Sequence, residues 1–255
     1  MKAPFVARRA HKWLALIIGI QAAFWMLSGA YMATIDIDFI HGDPLVRNQN
    51  EAIDSKGSTL YPIGTVLGLY PHATAVDLVA RRGHPHYVVT SEPDIVLLDA
   101  VTGEVRSPIG RDEAMLLAQY YYAGSGEVDE AMLLSDEALR PSEIQARPLP
   151  LWQVRFDDRI ETTFYVSPSS GALVTRRHTY WRLYDFLWMF HIMDYENRTD
   201  INNNLLRVAA LIGLIFTLTG GWLLVYSLKR PKEHVAWRNK PTDLQDDHGL
   251  VSKTP

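Results

Sequence analysis

The chain has 255 residues, no cysteine and a formal net charge of −4. Without cysteine there is no disulfide, no thiolate metal centre and no cysteine nucleophile, so any domain must hold together by its core alone. The near-neutral hydropathy conceals two long apolar blocks that flank an acidic middle.

Lys2, Arg8, Arg9 and Lys12 precede the first block, Trp13 to Ile35. A helix needs roughly 20 apolar residues to cross about 30 Å of hydrocarbon, and this run exceeds that. A cleavable leader would place a shorter core of about 7 to 15 residues before small residues such as Ser28-Gly29-Ala30, so a spanning helix is the better reading. The second block, Leu205 to Leu228, is followed by Lys229, Arg230 and Lys232. Basic flanks at both ends predict cytoplasmic termini, residues 1–12 and 229–255, with residues 36–204 on the far side. That middle carries 14 Lys/Arg against 25 acids, a net of −11, which speaks against nucleic acid as a partner.

Within the middle, Leu60 to Leu69 predicts a short helix despite Pro62, and Ala75 to Arg81 a strand. "PHYVV" (Pro85 to Val89) and "IVLLDAVTGEV" (Ile95 to Val105) predict two more strands and a turn at Gly103. Asp112 to Ala123 predicts a helix, with acids in its first turn and Gly124 as its stop. Val128 to Leu134 is again a strand, and the proline-bearing Ser135 to Pro150 a connector. "PLWQV" (Pro150 to Val154) and "TFYVSPSSGAL" (Thr163 to Leu173) then repeat the earlier pair, 65 and 68 residues on, with Gly171 in place of Gly103. The economical reading is a duplication: two helix-plus-three-strand modules, 36–110 and 111–179, in a membrane α+β architecture. Residues 180–195, "YWRLYDFLWMFHIMDY", crowd aromatics around His191 and predict an interfacial amphipathic helix.

These features together resemble the PepSY-associated transmembrane family over residues 7 to 228. The resemblance rests on "ARRAHKWLALIIGIQAAFWMLSGAYM…HGD", the duplicated "…DAVTGEV" hairpins, "LPLWQVRFDD" and, most specifically, "FLWMFHIMDY…NN". It implies a bacterial inner-membrane protein with periplasmic PepSY modules between spanning helices. It further implies an iron-uptake or redox setting, since larger relatives include haem-containing ferric-siderophore reductases. PepSY modules elsewhere accompany peptidases as inhibitory or regulatory units, so the implied partners are a periplasmic protein or peptide and a second copy or membrane subunit.

A b-type haem needs converging axial ligands, and neither apolar block contains a histidine. The candidates are therefore His191 and His41 at the outer surface, which could share an iron walled by Trp181, Tyr184, Trp188, Phe190 and Tyr195, and His11 at the inner one. His11 and His41 are about 45 Å apart along a helix and cannot share one. In the plainer reading, His191 is a structural residue bonded to Asp194 or Asp185. A divalent ion held by Asp36, Asp38, His41 and Asp43 is the remaining alternative there. His11 falls on a small-residue stripe with Ala15, Gly19, Ala22, Met26, Gly29 and Ala33. Ala210, Thr217 and Gly221 offer a matching stripe on the second block, with Gly213 and Gly220 beside it, so close helix packing or dimerisation is expected. His234, or His11 of a second chain, would meet His11 there.

His84 and His86 share a strand face and could pinch a metal. His72, His178 and His248 show no pattern. No G-x-S-x-G, H-E-x-x-H or G-x-x-x-x-G-K-[ST] motif is present, and Asp157-Asp158 reads as a hairpin turn. Two functions follow as expectations: a PepSY binding or regulatory module on a two-helix anchor, accepting a peptide by strand addition, or a haem b electron-transfer subunit.

Overall fold

A computed structural model describes residues 3–47, 51–53, 59–144 and 147–229. It divides into two units, Met1–Arg207 and Val208–Pro255. The first unit opens with a long helix, α1 (Ala3–Thr34), and a short one, α2 (Ile37–His41). Asp36 caps α2 by accepting hydrogen bonds from the amides of Asp38 and Phe39. Next come α3 (Ile63–Leu69), β1 (Ala75–Arg81), β2 (His84–Ser91), β3 (Asp94–Asp99) and α4 (Arg111–Tyr121). The first unit continues with β4 (Val128–Leu134), β5 (Leu151–Phe156), β6 (Thr163–Val166), β7 (Leu173–Arg177) and α5 (Thr179–Ile192), and the last helix is α6 (Asn204–Lys229). The expected Leu60 start of α3 shifts to Ile63 because Pro62, extended at φ −61° and ψ 124°, occupies the N-cap.

Both sheets are antiparallel: β1-β2-β3, and β4-β5-β6-β7. The second copy thus has four strands where three were expected. In the first copy the segment after β3 makes a single bridge, Leu98 to Val105; at the matching place Val166 pairs with Leu173, and the pairing runs on as β7. The two turns follow one chemistry. Gly103 donates to Asp99 O (2.8 Å) and Gly171 to Ser167 O (2.9 Å). Asp99 N reaches Glu104 O (2.9 Å), and Ser167 N reaches Ala172 O (2.9 Å). Both glycines sit in the left-handed region, at φ 77° and 63°. The two turns thus share these two backbone bonds, 68 residues apart.

Alternation along β2 and β3 sends Tyr87, Val89 and Leu98 to the α3 face, where they bury Val66. Val88 and Leu97 on the other face join the cluster formed by α4 with Val154, Phe156, Phe164 and Val166 of the second sheet. The first sheet is therefore covered on both sides, and α4 belongs to the cores of both copies. The connector between β4 and β5 lays Ile144 over the far face of the second sheet against Leu134, Leu151 and Tyr165.

Two helices, over Ala15–Thr34 and Asn204–Trp222, are long and apolar enough to cross a membrane. Leu16, Ile17, Ile20, Met26 and Leu27 on the first, and Val208, Leu211, Leu214, Ile215 and Leu218 on the second, are exposed.

Candidate functional site

His191 stands in the last turn of α5, against α1. Its Nδ1 lies 2.8 Å from Ser28 Oγ. Ser28 Oγ also lies 2.7 Å from Phe24 O; a hydroxyl that donates there accepts from Nδ1–H and puts the imidazole lone pair on Nε2. The Trp25 indole donates to His191 O (3.0 Å), Trp188 stacks on the imidazole, and Phe190 stacks on Phe24. Gly29 faces the ring, and a Cβ there would stand in ordinary contact, 3.9 Å from His191 Cε1. Higher on the seam, Tyr31 OH donates to Tyr180 O at 3.0 Å. From Tyr180 to His191 α5 advances about 17 Å, against about 9 Å from Tyr31 to Trp25 on α1, so the helices cross obliquely.

The partner of His191 is therefore Ser28, not Asp194 or Asp185. Asp194 instead gathers the loop that follows: Oδ1 accepts from the amides of Glu196 (3.3 Å) and Asn197 (3.2 Å), and Oδ2 from those of Thr199 (3.0 Å) and Asp200 (2.9 Å). These amides hold its carboxyl below the usual range. Asp185 forms an ion pair with Arg198. Asn203 Nδ2 donates to Ile192 O (2.8 Å) while its Oδ1 caps Leu206 N (2.8 Å), tying the end of α5 to the start of the next helix. That is the physical content of the "FLWMFHIMDY…NN" stretch.

His41 is exposed, and its backbone carbonyl accepts from Arg176 Nε (2.9 Å). Beside it, at the other end of α5, the buried His178 donates from Nε2 to Phe39 O (3.0 Å) and Ile40 O (3.1 Å). His191 lies 13 residues beyond His178 on an unbroken helix, about 20 Å away. The structure thus does not bring His41 and His191 together, and a haem ligated by that pair does not fit one chain. His178, patternless in sequence, is the histidine at the α2 junction, and burial pushes its imidazole below the ordinary value. Asp36 is spent on the α2 cap and Asp43 on an ion pair with Arg176, so neither is free for the suggested metal. Among the described residues no group of three or more His, Asp or Glu is placed to hold an ion.

His86 Nδ1 lies 2.9 Å from His84 O, and burial lowers its imidazole below the ordinary value. His11 falls within the backbone of α1, but its side chain lies outside the described residues, as do His234 and His248. Gly19, Gly213, Gly220 and Gly221 have no atom within 4 Å of a notional Cβ, so each opens on free space.

A groove of about 680 Å³ runs along the outer face of the second sheet. Five carboxylates (Asp129, Glu143, Asp157, Asp158 and Glu161) face only Arg155 and Arg182 there. Arg182 is bound to Glu143 (2.7 Å), and Arg155 to Glu130. Tyr165 donates to Glu143 at 2.5 Å, and burial together with that carboxylate raises its phenol strongly. Asp158 closes the β5–β6 turn by accepting from Tyr122 OH (2.6 Å), Thr162 Oγ1 (2.6 Å) and Thr162 N (2.8 Å). Its acids are thus tied to structural donors or open to water.

A second cleft of about 380 Å³ lies between α5 and the connector. Arg177 stacks 3.8 Å over Trp181 there, and burial pushes its guanidinium down to about 10.

No protein-family profile, no curated protein and no solved structure matches the chain. Ser28, Trp25 and His178 were assigned no contact from the sequence because each acts on a partner well over a hundred residues away. Ser28-Gly29 even carries the look of a cleavage site.

Proposed function

We propose that the chain is a two-pass protein of the bacterial inner membrane that displays residues 36–204 on the periplasmic side as a tandem PepSY-like module for binding an extended basic peptide or protein segment. The exposed apolar side chains of α1 and α6 support the membrane anchor, because water would not tolerate such surfaces on both helices. Twin hairpins with matching turn bonds support the tandem module. The observation that carries the binding reading is the groove of about 680 Å³, with five carboxylates facing two arginines that already have acidic partners. That field attracts cations and repels anions, in keeping with the excess of acids over 36–204.

The test uses the full chain in mild detergent and two fluorescein-labelled extended peptides, one lysine-rich and one glutamate-rich, followed by anisotropy. Only the basic peptide is expected to bind, more weakly as salt rises, and Asp129→Lys with Asp157→Lys abolishes binding. Equal binding of both peptides refutes the reading.

A second reading, a haem b electron-transfer subunit, is favoured by one observation: His191 has Nδ1 held and Nε2 free, the arrangement of an imidazole ready to ligate. A second ligand would come from another copy of the chain or a partner subunit. Bound there, haem would supply one-electron chemistry; Ser28 would fix the imidazole, and Trp188 and Phe190 would exclude water. A Soret band in protein purified after growth with haem precursor, lost in His191→Ala and kept in His84→Ala, would establish it; its absence from folded protein ends it.

A further inference from the structure

Among the described residues, the cleft between α5 and the connector concentrates unneutralised positive charge beside the seam with α1. Trp181, Tyr184, Asp185 and Trp188 line it from one face of α5, at helical spacing. Arg147, Arg177 and Arg198 reach it from the connector, β7 and the loop after α5. Its two acids are already engaged, Glu143 by Arg182 and Asp185 by Arg198. Arg177 is fixed by Nε to Glu143 O (3.0 Å) and Nη1 to Thr175 Oγ1 (2.6 Å), leaving Nη2 toward the cleft. Among the described residues the Arg147 side chain has no hydrogen-bond or ion-pair partner; of the charges around it, Arg177 feels the Glu143 carboxylate first, then the opposing charge of Arg147. Arg147, Arg177, Arg182 and Arg198 thus share two carboxylates, and Arg147 and Arg177 are the two guanidiniums without an ion pair of their own, Arg177 lying over an indole that shields it from water.

We propose that this cleft binds a phosphate-bearing anion, with the two guanidiniums as its counter-ions and the headgroup of an anionic phospholipid as its source. Guanidinium forks match phosphate oxygens in pairs. Trp181, Tyr184 and Trp188 supply the amphipathic ring surface that sits at headgroup depth. The adjoining face of the same helix packs on α1 through Tyr180, Phe190 and His191, and the Ala15–Thr34 segment of α1 is apolar enough to lie in lipid, so the cleft borders a membrane-facing seam. A volume of about 380 Å³ suits a phosphodiester headgroup and excludes a folded partner. This site is separate from the acidic groove and of opposite charge, so its fate does not depend on the peptide reading.

The test titrates the full chain, in nonionic detergent, with dihexanoyl-phosphatidylglycerol, dihexanoyl-phosphatidylcholine and inorganic phosphate by calorimetry. The anionic lipid is expected to bind at least about tenfold more tightly than the zwitterionic one, and Arg147→Gln to weaken it about tenfold. Arg147 holds no other group, so this variant keeps its fold where Arg177→Gln would not be a safe choice. Arg155→Gln, on the second sheet outside the cleft, leaves affinity unchanged. Phosphate binding as tightly as the anionic lipid, and losing affinity in Arg147→Gln, upholds the anion site and assigns it to free phosphate. Equal affinity for the two lipids, or an Arg147→Gln protein that binds as the parent does, overturns the proposal.

Discussion

Removing the Asp158 carboxylate should loosen the β5–β6 turn locally and by a calculable amount. Three donors converge on it, Tyr122 OH, Thr162 Oγ1 and Thr162 N, at 2.6, 2.6 and 2.8 Å. A hydrogen bond to a charged group contributes about 1.5–3 kcal/mol net, and such bonds in one cluster add incompletely. Tyr122 is only 2 % exposed, so its hydroxyl would also be stranded. Asp158→Ala should therefore lower the local opening free energy by about 3 kcal/mol, and Asp158→Asn, which keeps an acceptor, by about 1 kcal/mol. Tyr122→Phe, which leaves the half-exposed carboxylate to water, should also stay near 1 kcal/mol.

Hydrogen exchange read by mass spectrometry at the Phe156 amide, which bonds to Thr162 O at 2.9 Å, reports this opening. The alanine variant should exchange there roughly 150-fold faster. An Asp158→Ala protein within a few-fold of the parent, or a Tyr122→Phe effect equal to it, would refute the reasoning. The pH dependence has a definite sign. Burial alone would raise the Asp158 carboxyl, but the bonds from Thr162 and Tyr122 outweigh it and hold the group below its usual value. Its contribution is thus complete above the unfolded pKa, near about 4, and is lost as pH falls through the folded one. Tyr122, pushed up to about 12 by burial and by Asp158, stays a donor throughout that range.

Gly103→Ala and Gly171→Ala both place a Cβ at positive φ, but only the first drives it into a ring, with Tyr61 atoms at 2.8–2.9 Å against Leu117 Cδ1 at 3.4 Å for the second. Backbone strain of about 1–2 kcal/mol is expected for Gly171→Ala and clearly more for Gly103→Ala, ranked by thermal unfolding of each full-length variant. On the α1–α5 seam, Gly29→Leu should displace His191 and speed amide exchange along α5, while Gly29→Ala, with its Cβ at an ordinary 3.9 Å, should not. The cysteine-free chain allows single-cysteine labelling without background. Ser125→Cys in intact spheroplasts should react with an impermeant maleimide and Lys253→Cys should not; the reverse pattern would overturn the proposed topology.

The strands Ala75–Arg81 and Val128–Leu134 were legible to the residue because strand periodicity is local, and the duplication because like turns need like residues at Gly103 and Gly171. The covering of the first sheet on both faces was not legible, since Val88 and Leu97 look the same in sequence whichever layer they meet. The candidate site was legible only in part. His191 announced itself by its aromatic neighbours, while the cleft arginines lie 21 to 51 residues apart along the chain and share no motif.

What the sequence by itself determined is whatever depends on neighbours within a turn or two: the two apolar helices, the repeated hairpins, the acidic middle and the missing thiol chemistry. Tertiary structure alone decided which histidines meet. Ser28 and His191, 163 residues apart, come within 2.8 Å, while His41 and His191 stand at opposite ends of α5. A straight helix keeps its two ends apart by a fixed rise per residue, and only the packing of α5 between α1 and α2 determines what each end can touch.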